Sequence, residues 1–114
     1  MHEVALMEQA IAILRSSVLA NDIRQITKVK MVVGQMTAAQ PDALMFAFEV
    51  FSLQEEWLQG AQLEIEDKET TATCLNCGDV YAVKDFRFVC PACSSTAHRM
   101  ESGRELYIDY YEGD

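Results

Sequence analysis

Cys74-Leu75-Asn76-Cys77 is followed, after twelve residues, by Cys90-Pro91-Ala92-Cys93, and these two pairs hold every cysteine in the chain. Two Cys-x-x-Cys pairs at this separation form the pattern of a tetrahedral thiolate zinc site. Each pair is a tight turn that aims two sulfurs at one point, and the intervening residues suffice to carry the chain out and back. Gly78 supplies the positive φ that such turns often need. Pro91 fixes φ inside the second pair without taking a ligand position. Two disulfides would require an oxidising compartment. A thioredoxin-like redox site would follow a strand and open a helix, and would need only one pair. Four sulfurs leave no open position on a zinc ion, so Cys74, Cys77, Cys90 and Cys93 are expected to hold a structural Zn(II). Such binding contributes about 10–16 kcal/mol of apparent free energy in small zinc modules, enough to fold a segment with little core of its own.

Working outward, the chain upstream reads helix, strand, helix, strand. Residues 4–19 place Val4, Met7, Ile11, Leu14 and Val18 at spacings of three and four, one apolar stripe of an amphipathic helix. Residues 25–34 switch to a period of two, with Val29, Met31 and Val33 on one face and Lys28 and Lys30 on the other, and Gly34 closes this strand. Pro41 suits the first position of a second helix, whose buried stripe is Leu44, Phe48 and Phe51 and which ends before Gly60. Ala61, Leu63 and Ile65 alternate with Gln62, Glu64 and Glu66 as a second strand.

Downstream, Leu106, Ile108 and Tyr110 alternate as a last strand, and Glu112-Gly113-Asp114 is expected to fray. The expected architecture is α/β of the α+β kind: two helices packed on a three-stranded sheet, with an inserted zinc ribbon. Residues 1–70 together with 101–114 form the α/β domain, and 71–100 form the zinc-binding domain. Within the ribbon, Tyr81, Val83, Phe86 and Phe88 are expected to make short strands. The stretches near Thr71–Thr73 and His98–Gly103 are expected to act as hinges.

Composition narrows the function. The 114 residues carry nine basic and eighteen acidic side chains, a formal net charge of -9. That sign opposes binding to phosphate backbones, so nucleic acid is not an expected partner. No apolar run approaches the ~20 residues of a membrane span, and Glu3 and Glu8 stand where a signal peptide would carry Lys or Arg. A reduced, cytoplasmic location is therefore expected. No Ser/His/Asp set or phosphate-binding glycine loop points to an enzyme.

The start Met1-His2-Glu3 offers a second metal site. The bulk of His2 disfavours removal of Met1, which leaves a free α-amino group beside an imidazole. The amine, the amide nitrogen of His2 and the ring δ nitrogen can close a five-membered and then a six-membered chelate ring. Three coplanar nitrogens suit Ni(II) or Cu(II) rather than zinc. The first amides of a helix have no partner within it, so loss of an amide proton there breaks no helical bond. A fourth ligand could come from the Glu3 amide, the Glu3 carboxylate or His98. His98, five residues past Cys93, could instead replace a thiolate at the zinc or stand in solvent.

A Met1-His2-Glu3 start running into a helix, Gly34 after the first strand, and the two cysteine pairs with Cys90-Pro91-Ala92-Cys93 together resemble the HypA/HybF family over nearly the whole chain. The resemblance implies a nickel metallochaperone for [NiFe]-hydrogenase maturation. Ni(II) would be transferred cargo at Met1, His2 and Glu3, and Zn(II) would be structural at the four cysteines. It implies a HypB-type GTPase and the hydrogenase large subunit as partners, with urease maturation proteins as further candidates, and a monomer or weak homodimer. The alternative is a zinc-ribbon interaction module that carries no nickel.

Overall fold

The computed structural model describes residues 2–114, and Met1 lies outside the described residues. Helix α1 spans Glu3–Ala20, strand β1 Ile26–Gly34, helix α2 Pro41–Gln54 and strand β2 Gln62–Lys68; β3 (Thr71–Cys74), β4 (Val80–Ala82), β5 (His98–Ser102) and β6 (Leu106–Gly113) follow. Short 3-10 turns at Gln35–Thr37 and Glu56–Leu58 flank α2.

The strands form two separate sheets, ordered β2-β1-β6 and β4-β3-β5. In the first, β1 runs parallel to β2, which it reaches through α2, and antiparallel to β6. Both helices cover one face of it. Met7, Ile11, Leu14 and Val18 from α1, Leu44, Ala47 and Phe48 from α2, and Ile26, Val29, Met31 and Val33 from β1 make one core. The expected two helices on a three-stranded sheet are thus present.

The stripe of α1 is rotated from its expected phase. Val4 is 61% exposed, and Glu3, one turn before Met7, is buried at 6%. Residues four apart lie about 40° apart around a helix, whereas residues three apart lie about 60° apart on the other side. The burial therefore follows Glu3, Met7, Ile11 and Leu14. Arg15 on the outer side pairs with Glu55 just after α2.

The other face of the sheet is polar. Lys28 bridges to Glu64 at 2.9 Å and Lys30 to Glu66 at 3.1 Å, both across the β1–β2 pair. The Tyr110 ring lies beside both ammonium groups, 5.6 and 5.9 Å from its centroid. These contacts hold the Lys28 and Lys30 ammonium groups above the usual lysine range, chiefly through their Glu64 and Glu66 partners.

Two expectations are corrected. The C-terminus is not frayed: β6 pairs with β1 as far as Gly113, and Asp114 exchanges backbone hydrogen bonds with Gln25 while its carbonyl also accepts from Arg24. A Cβ at Gly113 would sit 2.5 Å from the Gln25 carbonyl oxygen, so only glycine lets this edge close. Nor are Thr71–Thr73 and His98–Gly103 loose connections. They lie mostly in β3 and β5, which pair with each other from Thr71↔Ser102 to Cys74↔His98.

The segments that lead to and from the second lobe are anchored in a tight joint at the end of the first sheet. Gly34 donates its N–H to the Glu105 carbonyl at 2.6 Å, and Met36 donates to the Gly103 carbonyl at 2.8 Å. A Cβ on Gly34 would lie 2.1 Å from the Gly103 oxygen. Gly103 itself has φ +123°, and a Cβ there would lie 2.5 Å from Thr70 Oγ1. Because the last β1–β2 pair is Gly34↔Lys68, both crossings to the second lobe leave from this end. The molecule is accordingly long, 54 × 26 × 17 Å.

Candidate metal centres

The zinc lobe has a small core of Ala72, Cys74, Tyr81, Val83 and Cys90, with Phe88 packed against it. Of the aromatic and aliphatic residues expected in ribbon strands, Tyr81 lies in β4 and Val83 is buried just after it. Phe86 is 64% exposed with φ +58°, at the tip of a turn closed by the Lys84↔Arg87 bridge, so it is corrected from strand to turn.

The two cysteine turns are built alike. In the first, the Gly78 N–H donates to the Cys74 carbonyl at 2.9 Å, and the Cys74 N–H donates to the Asp79 carbonyl at 2.8 Å. In the second, Ser94 donates to Cys90 at 2.8 Å and Cys90 donates to Ser95 at 2.9 Å. The fifth residue of each turn is left-handed, Gly78 at φ +81° and Ser94 at φ +65°. Each turn thereby folds its two sulfurs to the same side.

The four ligand atoms lie within 4.8 Å of one another. Cys74 and Cys93 sulfurs are 3.5 Å apart, and those of Cys77 and Cys90 are 3.6 Å apart. Zinc–sulfur bonds of about 2.3 Å in a tetrahedron put sulfurs about 3.8 Å apart, so the donor set and its spacing fit a four-thiolate zinc ion. Such an ion would be coordinatively full and would supply no reaction chemistry, only the tie between the two turns.

Without a metal, four neighbouring thiols cannot all ionise. Cys74 is lowered to about 6, first because the Cys77 backbone N–H donates to its sulfur and then because Asn76 N–H does. Those N–H···S distances are 3.5 and 3.4 Å. Cys77 is pushed up to about 12: the Asp79 backbone N–H draws it down, but contact with the Cys90 sulfur, with the local desolvation and the nearby Cys93 and Cys74 sulfurs, outweighs that pull. A divalent cation replaces the retained protons, which is why such clusters bind metal with proton release.

His98 lies in β5 rather than in a loop, opposite Cys74 in the register. Its ring stacks on Phe88, with centroids 4.1 Å apart and planes 18° apart. Its Nδ1–H donates to the Thr96 carbonyl at 2.8 Å. Among the described residues, the metal-ligating cluster consists of the four cysteines without His98.

His2 opens α1. Its carbonyl accepts the Leu6 N–H at 2.9 Å, the first bond of the helix. The amides of Glu3, Val4 and Ala5 therefore precede the first helical donor. The His2 side chain is exposed and makes no capping hydrogen bond. Glu3 turns inward, and its carboxylate accepts the Gln40 N–H at 2.9 Å, just ahead of α2. That bond, followed by one from the backbone N–H of Glu3 itself, holds the Glu3 carboxyl below the usual carboxylate range. Sequence periodicity did not reveal this contact, because the partner of Glu3 lies 37 residues away. The Asn76 side chain, which reaches Cys93, was equally hidden inside the first pair.

No helix among the described residues is long and apolar enough to cross a membrane. Comparison with known proteins is consistent along the whole chain. A curated relative from Moorella thermoacetica, hydrogenase maturation factor HypA, is 34% identical over all of both chains. A second relative, guanidine hydrolase-activating protein A from Synechocystis, is 43% identical over 77% of this chain and 73% of its own. The solution structure of the Ni metallochaperone HypA from Helicobacter pylori superposes over 99% of this chain and 97% of its own, with a TM-score of 0.68 at 24% identity, which supports the fold. The family model described as hydrogenase/urease nickel incorporation, metallochaperone, hypA matches residues 1–113. By sequence over its whole length, then, the chain belongs to the HypA family of hydrogenase/urease nickel-incorporation metallochaperones.

Proposed function

We propose that this chain carries Ni(II) at its N-terminus and hands it to a nickel enzyme under assembly, while a structural Zn(II) holds the second lobe. The nickel ligands in this reading are the Met1 amine, the His2 amide and imidazole, and Glu3. The observation that carries it is the uncommitted His2 imidazole beside first-turn amides that the helix does not use. Planar nitrogen donors suit a d⁸ cation. The Glu3 carboxylate is bonded to the Gln40 N–H and to the N–H of Glu3 itself, so in this reading nickel displaces the inner bond, Glu3 contributes through its amide, and the bond to Gln40 steadies the helix start. Residues 1–70 with 101–114 act as the nickel-handling domain and 71–100 as the zinc domain. The role is that of a carrier in the cytoplasm rather than an enzyme.

Partners follow from family membership. A HypB-type GTPase and the [NiFe]-hydrogenase large subunit fit the full-length similarity to hydrogenase maturation factors. The similarity to a protein named for activating guanidine hydrolase leaves room for a client other than hydrogenase. The net charge of -9 favours protein or cation partners over nucleic acid.

The test is calorimetric titration of nickel into zinc-loaded protein with an unmodified start. His2→Ala is expected to keep its zinc and circular dichroism and to lose nickel binding. A variant with residues added before Met1 is expected to behave the same way. Unchanged nickel affinity in both would sink the N-terminal site and leave a zinc-ribbon interaction module.

A further inference from the structure

The two cysteine turns are bound to each other by more than the metal they would share. Asn76 lies between Cys74 and Cys77, and its side-chain Nδ2 stands 3.5 Å from the Cys93 sulfur of the other turn. Backbone amides serve the first turn's leading sulfur, since the N–H groups of Asn76 and Cys77 both point at Cys74. Asn76 thus reaches both turns, with its backbone N–H at Cys74 and its side chain at Cys93. Cys93 also stands at the surface, as Cys77 does, whereas Cys74 and Cys90 are buried.

We propose that Asn76 is a positioning residue of the metal centre: its amide N–H holds the Cys93 thiolate on the metal and withdraws charge from that sulfur. The physical ground is that a hydrogen bond to an ionised acceptor is stronger than one between neutral groups. Charge drawn into an N–H···S bond is charge not offered to an electrophile. A zinc-bound thiolate at the surface is otherwise open to alkylation or oxidation. The inference rests on zinc at the four cysteines and is independent of where nickel binds.

The rival explanation is that asparagine merely suits a tight turn, as Asx residues do. An aspartate in its place would suit the turn equally but has no N–H to give, and it sets a negative charge beside the sulfur. The test uses the full-length zinc-loaded protein, Asn76→Asp and Asn76→Ala, treated with N-ethylmaleimide. In this reaction a sulfur–carbon bond forms at the maleimide double bond, the zinc–sulfur bond breaks, and water supplies the proton to the adjacent ring carbon. Peptide mass spectrometry reads the rates at Cys93 and Cys77 separately, so Cys77 is the internal control. Zinc release to a colorimetric chelator is followed in parallel.

The expected result is a Cys93-to-Cys77 rate ratio raised about five-fold or more in Asn76→Asp and less in Asn76→Ala, with faster zinc release in both. An unchanged ratio in both variants overturns the proposal. So does an equal acceleration at both cysteines, which would mean the turn had simply loosened. A normal ratio in Asn76→Asp with a raised one in Asn76→Ala would assign the residue to turn formation and overturn it as well.

Discussion

The two lobes reach stability by different means. The α/β lobe buries a continuous apolar cluster drawn from two helices and a three-stranded sheet. The zinc lobe buries five residues, two of which are cysteines. Hydrocarbon is sufficient where helices can close over a sheet. It is insufficient where three short strands and two turns have nothing to cover them, and there the sulfur cluster stands in for a core. Sensitivity to metal should therefore divide the molecule at its joint.

The largest effect is expected from Cys90→Ser, or from stripping zinc with a chelator. Either should unfold the second sheet and its two cysteine turns while the helices and first sheet persist, since the lost metal binding is worth about 10–16 kcal/mol in comparable modules. Amide NMR would show this as collapse of one set of peaks; simultaneous loss of both sets would break the division. Leu44→Ala tests the other side. Leu44 is fully buried in the α/β core, so its truncation should cost about 2–5 kcal/mol. Zinc stoichiometry, read by the same chelator assay, should stay at one per chain.

Gly34→Ala acts on the joint itself. The new methyl would meet the Gly103 carbonyl at 2.1 Å, and relief requires backbone movement. A loss of about 1–3 kcal/mol is expected, with NMR shift changes on both sides of the joint. Shifts confined to one lobe would show that the anchoring by Gly34 and Met36 is not felt beyond the crossings. The smallest effect is expected from Glu3→Gln, which keeps the shape but weakens the bond to Gln40. The Gln40 amide should lose its charge-assisted downfield shift while zinc-lobe resonances stay in place.

Much of this was legible in the residue pattern. Periodicity marked both helices and the first two strands of the first sheet, because each buries one face and so repeats at 3.6 or 2; β6 was marked as a strand, but an irregularity opposite Lys30–Met31 breaks its expected alternation, so Tyr111 rather than Tyr110 packs on the core. Cysteine spacing marked the second lobe, because a tetrahedron fixes what the turns must look like. What stayed hidden depends on residues far apart in the chain. The phase of α1 hinged on whether Glu3 or Val4 turned inward, and Glu3 turns in because the Gln40 N–H awaits it. The C-terminus looked loose because Glu112 and Asp114 are charged, yet its backbone is taken up by Gln25 and Arg24. Threonines and a lone arginine looked like connector, but β3 and β5 owe their pairing to backbone groups that side-chain patterns do not report. At the sites, the cysteine cluster was readable from spacing, while the side-chain bond from Asn76 to Cys93 was not.

The interlocked glycines at 34 and 103 hold the crossings at the end of the first sheet. With no space for even one methyl between them, and Thr70 packed behind, a side chain at either position would drive the crossings to the second lobe off the end of the first sheet. Labels placed at the two tips would read out the consequence: one sharp separation would make the protein a ruler to its clients, and a broad spread would make it a clasp.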